Sequence, residues 1–342
     1  MYGTRPTAIA GAVFGGPFIK GVADAGFDVV AQLEYGDYGV RTSQLNFPNL
    51  EIRIGKESWR IREFANIDFM FTNPPCAPWS TASGNKGCPW QEDSRLDYIE
   101  ALIEAGIAIA PKVWLWESVT TCFTKGRSFV DAKAKVWMEA GYYVSILLQN
   151  NMYLGAPQNR KRMLFIAHKT PLIFPPFTRP RTVDEVLQEV DLLDGEIKAK
   201  MTGRGFDEVI WEESEKHGGK FLAAYQAIPA QLKTGTKPGF LSQRLRGDEP
   251  CPVLFPINAW HPHQPRKLTY GELLALCGLP QNWQLESYTE SAISGLLSRC
   301  VLAPVGKWIA LAVKAGLDWD ELDMPPQYNI YDKRHLEEGV LV

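Results

Sequence analysis

The stretch Ala8-Ile9-Ala10-Gly11-Ala12-Val13-Phe14-Gly15-Gly16-Pro17-Phe18 decides how the chain is read. An apolar run, Ala8–Val13, enters a glycine turn at Gly15-Gly16, and residues 18–25 then show helical spacing that stops at Gly26. A second apolar run, Val29–Leu33, follows and is closed by Glu34. Strand, tight turn, helix and strand ending on an acid is the opening of a βαβ unit.

The same alternation continues downstream. Ile67–Thr72 reads as a strand and runs into Asn73-Pro74-Pro75-Cys76, and Leu96–Ala110 reads as a helix. Val113–Trp116 reads as a strand closed by Glu117, Phe129–Ala140 as a helix, and Tyr143–Leu148 and Met163–Ala167 as strands. The expected fold is α/β with a parallel, doubly wound sheet, which places ligands beyond the C-terminal strand ends where Glu34, Cys76 and Glu117 fall. The pattern breaks at Thr170-Pro171. Residues 171–265 are rich in proline and glycine, with one helix expected over Val183–Leu193. Regularity returns at Thr269–Cys277 and Val305–Ala315. Three segments are therefore expected: 1–170, a small irregular insertion at 171–265, and 266–342 rejoining the first.

Composition bounds what such a chain does. With 342 residues, 45% hydrophobic and 11% aromatic, the chain can bury a large core, which excludes a disordered protein. No apolar run of about 18–20 residues is evident, and the N-terminus lacks the pattern of a secretory signal, so no membrane is expected. Cys76, Cys88, Cys122, Cys251, Cys277 and Cys300 are scattered without a CxxC pair, so neither a metal site nor a disulfide framework is expected, and a cytoplasmic setting is. The net charge of -3 argues against indiscriminate electrostatic binding to nucleic acid. Charge is unevenly spread, however. Residues 184–215 are acidic, whereas 218–247 carry Lys220, Lys233, Lys237, Arg244 and Arg246 without one acid.

Three local constellations carry chemistry. Asn73-Pro74-Pro75-Cys76-Ala77-Pro78-Trp79-Ser80 sets a cysteine on a proline-stiffened loop, either as a nucleophile or as a buried structural residue beside a turn. Glu117 ends Val113-Trp114-Leu115-Trp116, where desolvation by the tryptophans would favour a protonated acid; a capping or ion-paired glutamate fits equally well. Gln158-Asn159-Arg160-Lys161-Arg162 points two arginines to one side of an extended segment, suited to oxygen ligands or to a solvated edge.

Order and spacing tie these together, with Cys76, Glu117 and Arg160 separated by 41 and 43 residues. The chain resembles the cytosine-C5 methyltransferase family. The resemblance rests on Phe14-Gly15-Gly16-Pro17-Phe18, Glu34, Pro75-Cys76, Glu117-Ser118-Val119, Gln158–Arg162, Arg266–Glu272 and Val301–Val305, in that order. It implies a Rossmann-like methyltransferase sheet with a target-recognition domain inserted before the C-terminal motifs. It further implies transfer of methyl from S-adenosylmethionine to C5 of a cytosine flipped out of double-stranded DNA. Cys76 would add to C6, Glu117 would serve N3 and the 4-amino group, and Arg162 would hold O2, with Arg160 on the neighbouring backbone or adduct. For the cofactor, Glu34 would take the ribose hydroxyls, Tyr35 would stack on adenine, and Phe14, Gly15, Gly16, Phe18, Asn73, Pro75, Ser118 and Arg299 would complete the site. Ser80 and the basic residues Lys220 to Arg246 would meet DNA. A monomer in a bacterial cytoplasm, of host or phage origin and of the restriction-modification type, completes the expectation.

Four departures from the family pattern stand out. The first loop has Val13-Phe14-Gly15-Gly16-Pro17 in place of Phe-x-Gly-x-Gly-Gly, the acid for the adenine amino group is missing from its usual place (Glu51 and Glu57 are the candidates), Ser118 replaces an asparagine, and Ser298-Arg299 replaces Gly-Asn. They leave three further readings open: the same cytosine chemistry with a modified S-adenosylmethionine analogue carrying a larger or charged group, an RNA cytosine-C5 methyltransferase, or a catalytically degenerate DNA-binding relative. The Cys122-Phe123-Thr124 sequence resembles an RNA-branch motif, but it precedes the Gln158–Arg162 segment, whereas in that branch the motif follows it.

Overall fold

The computed structural model describes residues 5–80, 89–191, 208–233, 237–238, 242–254, 259–320, 322–323 and 325–334. Its centre is an eight-stranded sheet. The strands in chain order are β1 Thr7–Gly11, β2 Asp28–Glu34, β3 Glu51–Ile54, β4 Phe69–Thr72, β5 Val113–Val119 and β6 Tyr143–Asn150. After a two-residue β7, Gln158–Asn159, come β8 Lys161–His168, the short β9 Gln243–Arg244, β10 Cys251–Pro252 and β11 Ala259–Trp260, and finally β12 Tyr328–Lys333. In space the sheet runs β12-β6-β8-β5-β4-β1-β2-β3.

All neighbours in this sheet are parallel except at β8, which is antiparallel to both β5 and β6. The doubly wound, mostly parallel sheet is the expected one, and β8 is the one strand that departs from its direction. The reason is the connection: only residues 151–160 link β6 to β8, too short for a crossover. The chain reverses on itself, and the start of β8 lands beside the ends of the parallel strands, with Arg162 opposite Val119.

Helices cover both faces. They are α1 Pro17–Asp24, α2 Val40–Asn46, α3 Leu96–Ile109, α4 Thr120–Lys125, α5 Arg127–Glu139, α6 Val183–Leu187, α7 Glu208–Ser214, α8 Phe221–Ala227, α9 Tyr270–Leu276, α10 Glu290–Arg299 and α11 Ala303–Leu317. The period-2 alternation of β5 sorts the core. Val113 and Leu115 point to the layer holding α1 and α11, and Trp114 and Trp116 to the layer holding α3 and α5. Trp114 lies on Trp137 with ring centroids 4.8 Å apart. Helices α1 and α11 pack backbone to backbone. A Cβ on Gly21 would lie 2.1 Å from the Ala303 carbonyl oxygen, so no larger residue fits.

The stretch Ser291–Leu317 is long and apolar enough to cross a membrane by length and composition, contrary to the reading that no such run exists. Most of it is buried, and the chain leaves the helix at residues 300–302, so its apolarity serves the core. The expected helix Val183–Leu193 ends at Leu187, with Thr182 and Glu185 closing a capping box. Parts of the charged segments, 192–207, 234–236 and 335–342, lie outside the described residues.

Candidate active site

The strand order reverses between β1 and β4, since β2 and β3 lie on one side of β1 and later strands on the other. This switch point gathers the ends of β1, β2, β4 and β5 on one edge of the sheet. From the end of β4 the chain turns through Asn73–Ser80, where the Trp79 and Ser80 amides both donate to the Cys76 carbonyl at 3.1 Å. Trp79 anchors this loop, fully buried against Trp116 and Phe129. The loop holds Cys76 half-buried with a free thiol.

Glu117 is 3% exposed and is held at both oxygens. Arg162 Nε lies 3.0 Å from Oε1, and Asn73 Nδ2 donates to Oε2 at 2.6 Å. Burial raises the Glu117 carboxyl above the ordinary glutamate range, against the pull of Arg162 and Arg160. The Cys76 thiol is also raised, first by burial and then by the Glu117 charge, while Arg162 and Arg160 oppose both. Burial and then the Arg160 charge lower Arg162 to about 10. A thiol, an acid and a guanidinium thus share one poorly solvated pocket, each able to change the proton affinity of the others.

Arg160 plays a different part from Arg162. Its guanidinium is buried and donates to the Ser298 carbonyl at 2.9 Å and the Cys300 carbonyl at 3.1 Å, while its backbone N–H donates to Asn150 Oδ1 at 2.9 Å. It clamps the link between α10 and α11 and so sets the position of Arg299. Gln158 likewise donates to the Leu276 carbonyl at 2.9 Å at the end of α9.

A second cluster forms around β1 and β2. Phe14, Gly15 and Gly16 have φ of 46°, 75° and 89°, a left-handed run that glycine tolerates and Phe14 adopts under strain. The loop folds onto Glu34, whose Oε1 accepts from the Val13 amide at 2.9 Å and from Gln32 Nε2 at 2.7 Å. Burial raises Glu34 to about 7. Tyr35 lies 4.1 Å from Tyr98 and 5.0 Å from Trp59 between ring centroids, and its hydroxyl donates to the Tyr98 carbonyl. Arg299 lies 5.5 Å above the Tyr38 ring, which meets Phe14 edge-on at 6.2 Å.

The structure therefore brings Cys76, Glu117, Arg162 and Asn73 together, and Phe14, Gly15, Gly16, Glu34 and Arg299 together. Ser118, fully buried, follows Glu117 on β5, and Pro75 precedes Cys76 in the loop. The structure also gives several of the expected site residues partners within the fold. Phe18 is 1% exposed, with its ring 4.6 Å from Phe71 and against Gly306, so its surface is spent on packing. Asn73 puts its amide on Glu117, on the thiol side of the site. Arg244 is tied down, stacked 4.0 Å above Trp211 and donating to the Pro262 carbonyl at 2.6 Å. Arg246 is paired with Asp248 and Glu249, whereas Lys220 and Lys237 are exposed and Lys233 lies 4.9 Å above Tyr225. Glu51 is engaged by Arg53 at 2.8 Å and Glu57 is exposed. Two neighbours that no sequence motif marks, Gln32 and Tyr98, touch Glu34 and Tyr35. Gln32 sits two residues before Glu34 on the same strand face, and that spacing is its only signal.

The sequence profile of C-5 cytosine-specific DNA methylase matches residues 14–315. The chain belongs to that family. Among curated members, the type II methyltransferase M.DdeI of Desulfomicrobium norvegicum is 28% identical over 165 residues, 45% of this chain and 39% of that protein. The orphan methyltransferase M.SPRI of Bacillus phage SPR is 29% identical over 162 residues, 43% of this chain and 34% of that protein. The chain thus spans less than half the length of these relatives. The fold is that of a solved Escherichia coli prophage protein described as a DNA modification methyltransferase, with TM-score 0.67, 20% identity, and 92% and 100% of the two chains covered.

Proposed function

We propose that the chain is a DNA cytosine-C5 methyltransferase using S-adenosylmethionine. The observation that carries the reading is the buried convergence of Cys76, Glu117 and Arg162 at the switch point of the sheet. Cytosine C5 is a weak nucleophile. Addition of the Cys76 thiolate to C6, with Glu117 donating a proton to N3, turns C5 into an enamine carbon. Arg162, fixed against Glu117, offers its remaining N–H groups to O2. Once C5 has gained the donor's methyl group, its proton would leave to water, the C6–S bond would break to release the Cys76 thiolate, and N3 would return its proton to the Glu117 carboxylate. Because C6 is covered in a duplex, the base is flipped into this pocket, with residues 171–265 as the target-recognition part and 266–342 returning to the first segment.

The residues of the β1–β2 cluster fit the cofactor. Glu34 is a buried carboxyl with spare acceptor capacity beside a glycine turn, and Gln32 Oε1 is buried with no partner. Glu34 would accept from the ribose hydroxyls, with Phe14 and the backbone of Gly15-Gly16 alongside. When bound, S-adenosylmethionine supplies an electrophilic methyl group.

The test is trapping on duplex DNA containing 5-fluorocytosine, followed by mass spectrometry of the modified nucleoside. A covalent adduct in wild type, its loss in Cys76→Ala and a plain methyl increment are expected. No adduct in wild type would leave only a DNA binder. A heavier increment would identify a modified donor, and activity on RNA alone would reassign the substrate.

A further inference from the structure

Glu117 must change protonation state in the chemistry just proposed, and on that reading the following inference rests. Of its two described partners, Arg162 is a guanidinium with donors only, so it follows one state of the carboxyl. Asn73 is different. Its side chain is 4% exposed, its Nδ2 donates to Glu117 Oε2 at 2.6 Å, and its Oδ1 is buried with no partner. A primary amide presents a donor and an acceptor at nearly the same position when it turns over by half a rotation. In the orientation present it matches an ionised Glu117; turned over, Oδ1 would accept the O–H of the neutral acid.

Each orientation leaves one buried amide atom without a partner, Oδ1 in the first and Nδ2 in the second. The two states therefore carry similar desolvation costs, and the amide holds the carboxyl in place without locking its charge. The other groups acting on Glu117 are Arg162 and Arg160 at the start of β8, Cys76 on the loop after β4, and Cys300 at the foot of α11. The cations favour the ionised form and the thiols in their charged state oppose it. A carboxamide touching Glu117 is supplied by the residue just past β4, while Ser118 stands next to Glu117 where the family resemblance leads one to look for an amide. We propose that Asn73 is the positioning residue of Glu117, an amide that donates to the carboxylate and turns over to accept the proton of the neutral acid.

The test is a side-chain NMR titration of the full chain without DNA or donor. The Glu117 carboxyl carbon is assigned by its loss in Glu117→Gln, and the Asn73 NH2 group by its loss in Asn73→Ser. The two signals are expected to titrate together in wild type with one midpoint. Asn73→Asp places two carboxyls on one proton and moves that midpoint up by more than about one pH unit. The same variant should shift a limb of the pH profile of adduct formation while leaving the donor KM within about twofold. An Asn73 NH2 signal that stays still while Glu117 titrates overturns the proposal. So does a large rise in donor KM with an unmoved midpoint, which would make Asn73 a cofactor contact. The NMR readout needs no turnover. Coupled titration in a protein that forms no adduct would sink the cytosine chemistry and keep the Asn73 assignment, and active enzyme with uncoupled signals would do the reverse.

Discussion

Glu34 makes cofactor binding dependent on pH in a way that can be worked out beforehand. Its carboxyl is raised from 4.5 to about 7, chiefly by burial, with the Gln32 amide and the Val13 backbone N–H pulling the other way. Vicinal ribose hydroxyls donate best to an ionised carboxylate, so binding selects the charged form. About one tenth of the protein carries that form near pH 6 and about nine tenths near pH 8, so affinity should rise roughly tenfold across the interval, about 1.4 kcal/mol. Below the midpoint, binding should release close to one proton, and near pH 8 almost none. Calorimetry with S-adenosylhomocysteine in buffers of different ionisation enthalpy reads both quantities. Comparison with Glu34→Gln subtracts titration of the ligand's own amine. The free protein should show the complementary trend. A carboxyl whose folded value lies above its unfolded one adds stability that is complete below 4.5 and lost as pH rises through about 7. That loss amounts to about 3 kcal/mol for this group. Equal affinity for wild type and Glu34→Gln across the whole range, with no proton released by either, would refute the assignment of Glu34 to the ribose.

Arg160→Lys keeps the charge but cannot serve both carbonyls, so it should cost about 2–3 kcal/mol in urea unfolding while leaving the pH profile of adduct formation in place. Arg160→Met should in addition move that profile upward, since a cation opposing the raised thiol and acid is gone. Gly21→Ala forces a methyl group onto the Ala303 carbonyl and should lower the free energy of unfolding by at least about 1–3 kcal/mol, read by denaturant titration, without altering ligand affinity in the protein that remains folded. Lys220→Ala and Lys237→Ala should each weaken duplex binding and reduce the slope of log affinity against log salt by about one, as measured by fluorescence anisotropy. Arg244→Ala, which loses a stacking partner and a carbonyl bond, should chiefly lower thermal stability. Unchanged salt slopes in both lysine variants would remove this stretch from the phosphate contacts.

What the sequence revealed follows from what an apolar pattern encodes. Strands flanked by polar residues are legible as apolar runs, which is why Glu34, Cys76 and Glu117 are expected at strand ends, although β5 runs on through Glu117 to Val119. The edge strands β3, Glu51–Ile54, and β12, Tyr328–Lys333, went unread because they are short, charged and largely exposed, so little alternation marks them. A window free of acids misled in a similar way. The charged and aromatic partners of Arg244 and Arg246 are Trp211, Glu215, Asp248 and Glu249, all just outside residues 218–247, so cations that look unpaired within that window have partners in the fold. Strand direction left no trace at all. Had β8 run parallel to β5, its first residues would lie at the opposite edge of the sheet, about five to seven residues of strand rise from Glu117. The short link from Asn150 to Lys161 forbids that arrangement, and the reversal it imposes sets Arg162 diagonally across from Glu117, where a guanidinium can reach the carboxylate. The Gln158–Arg162 motif is legible as chemistry only because a connection too short for a crossover helix makes it legible as geometry.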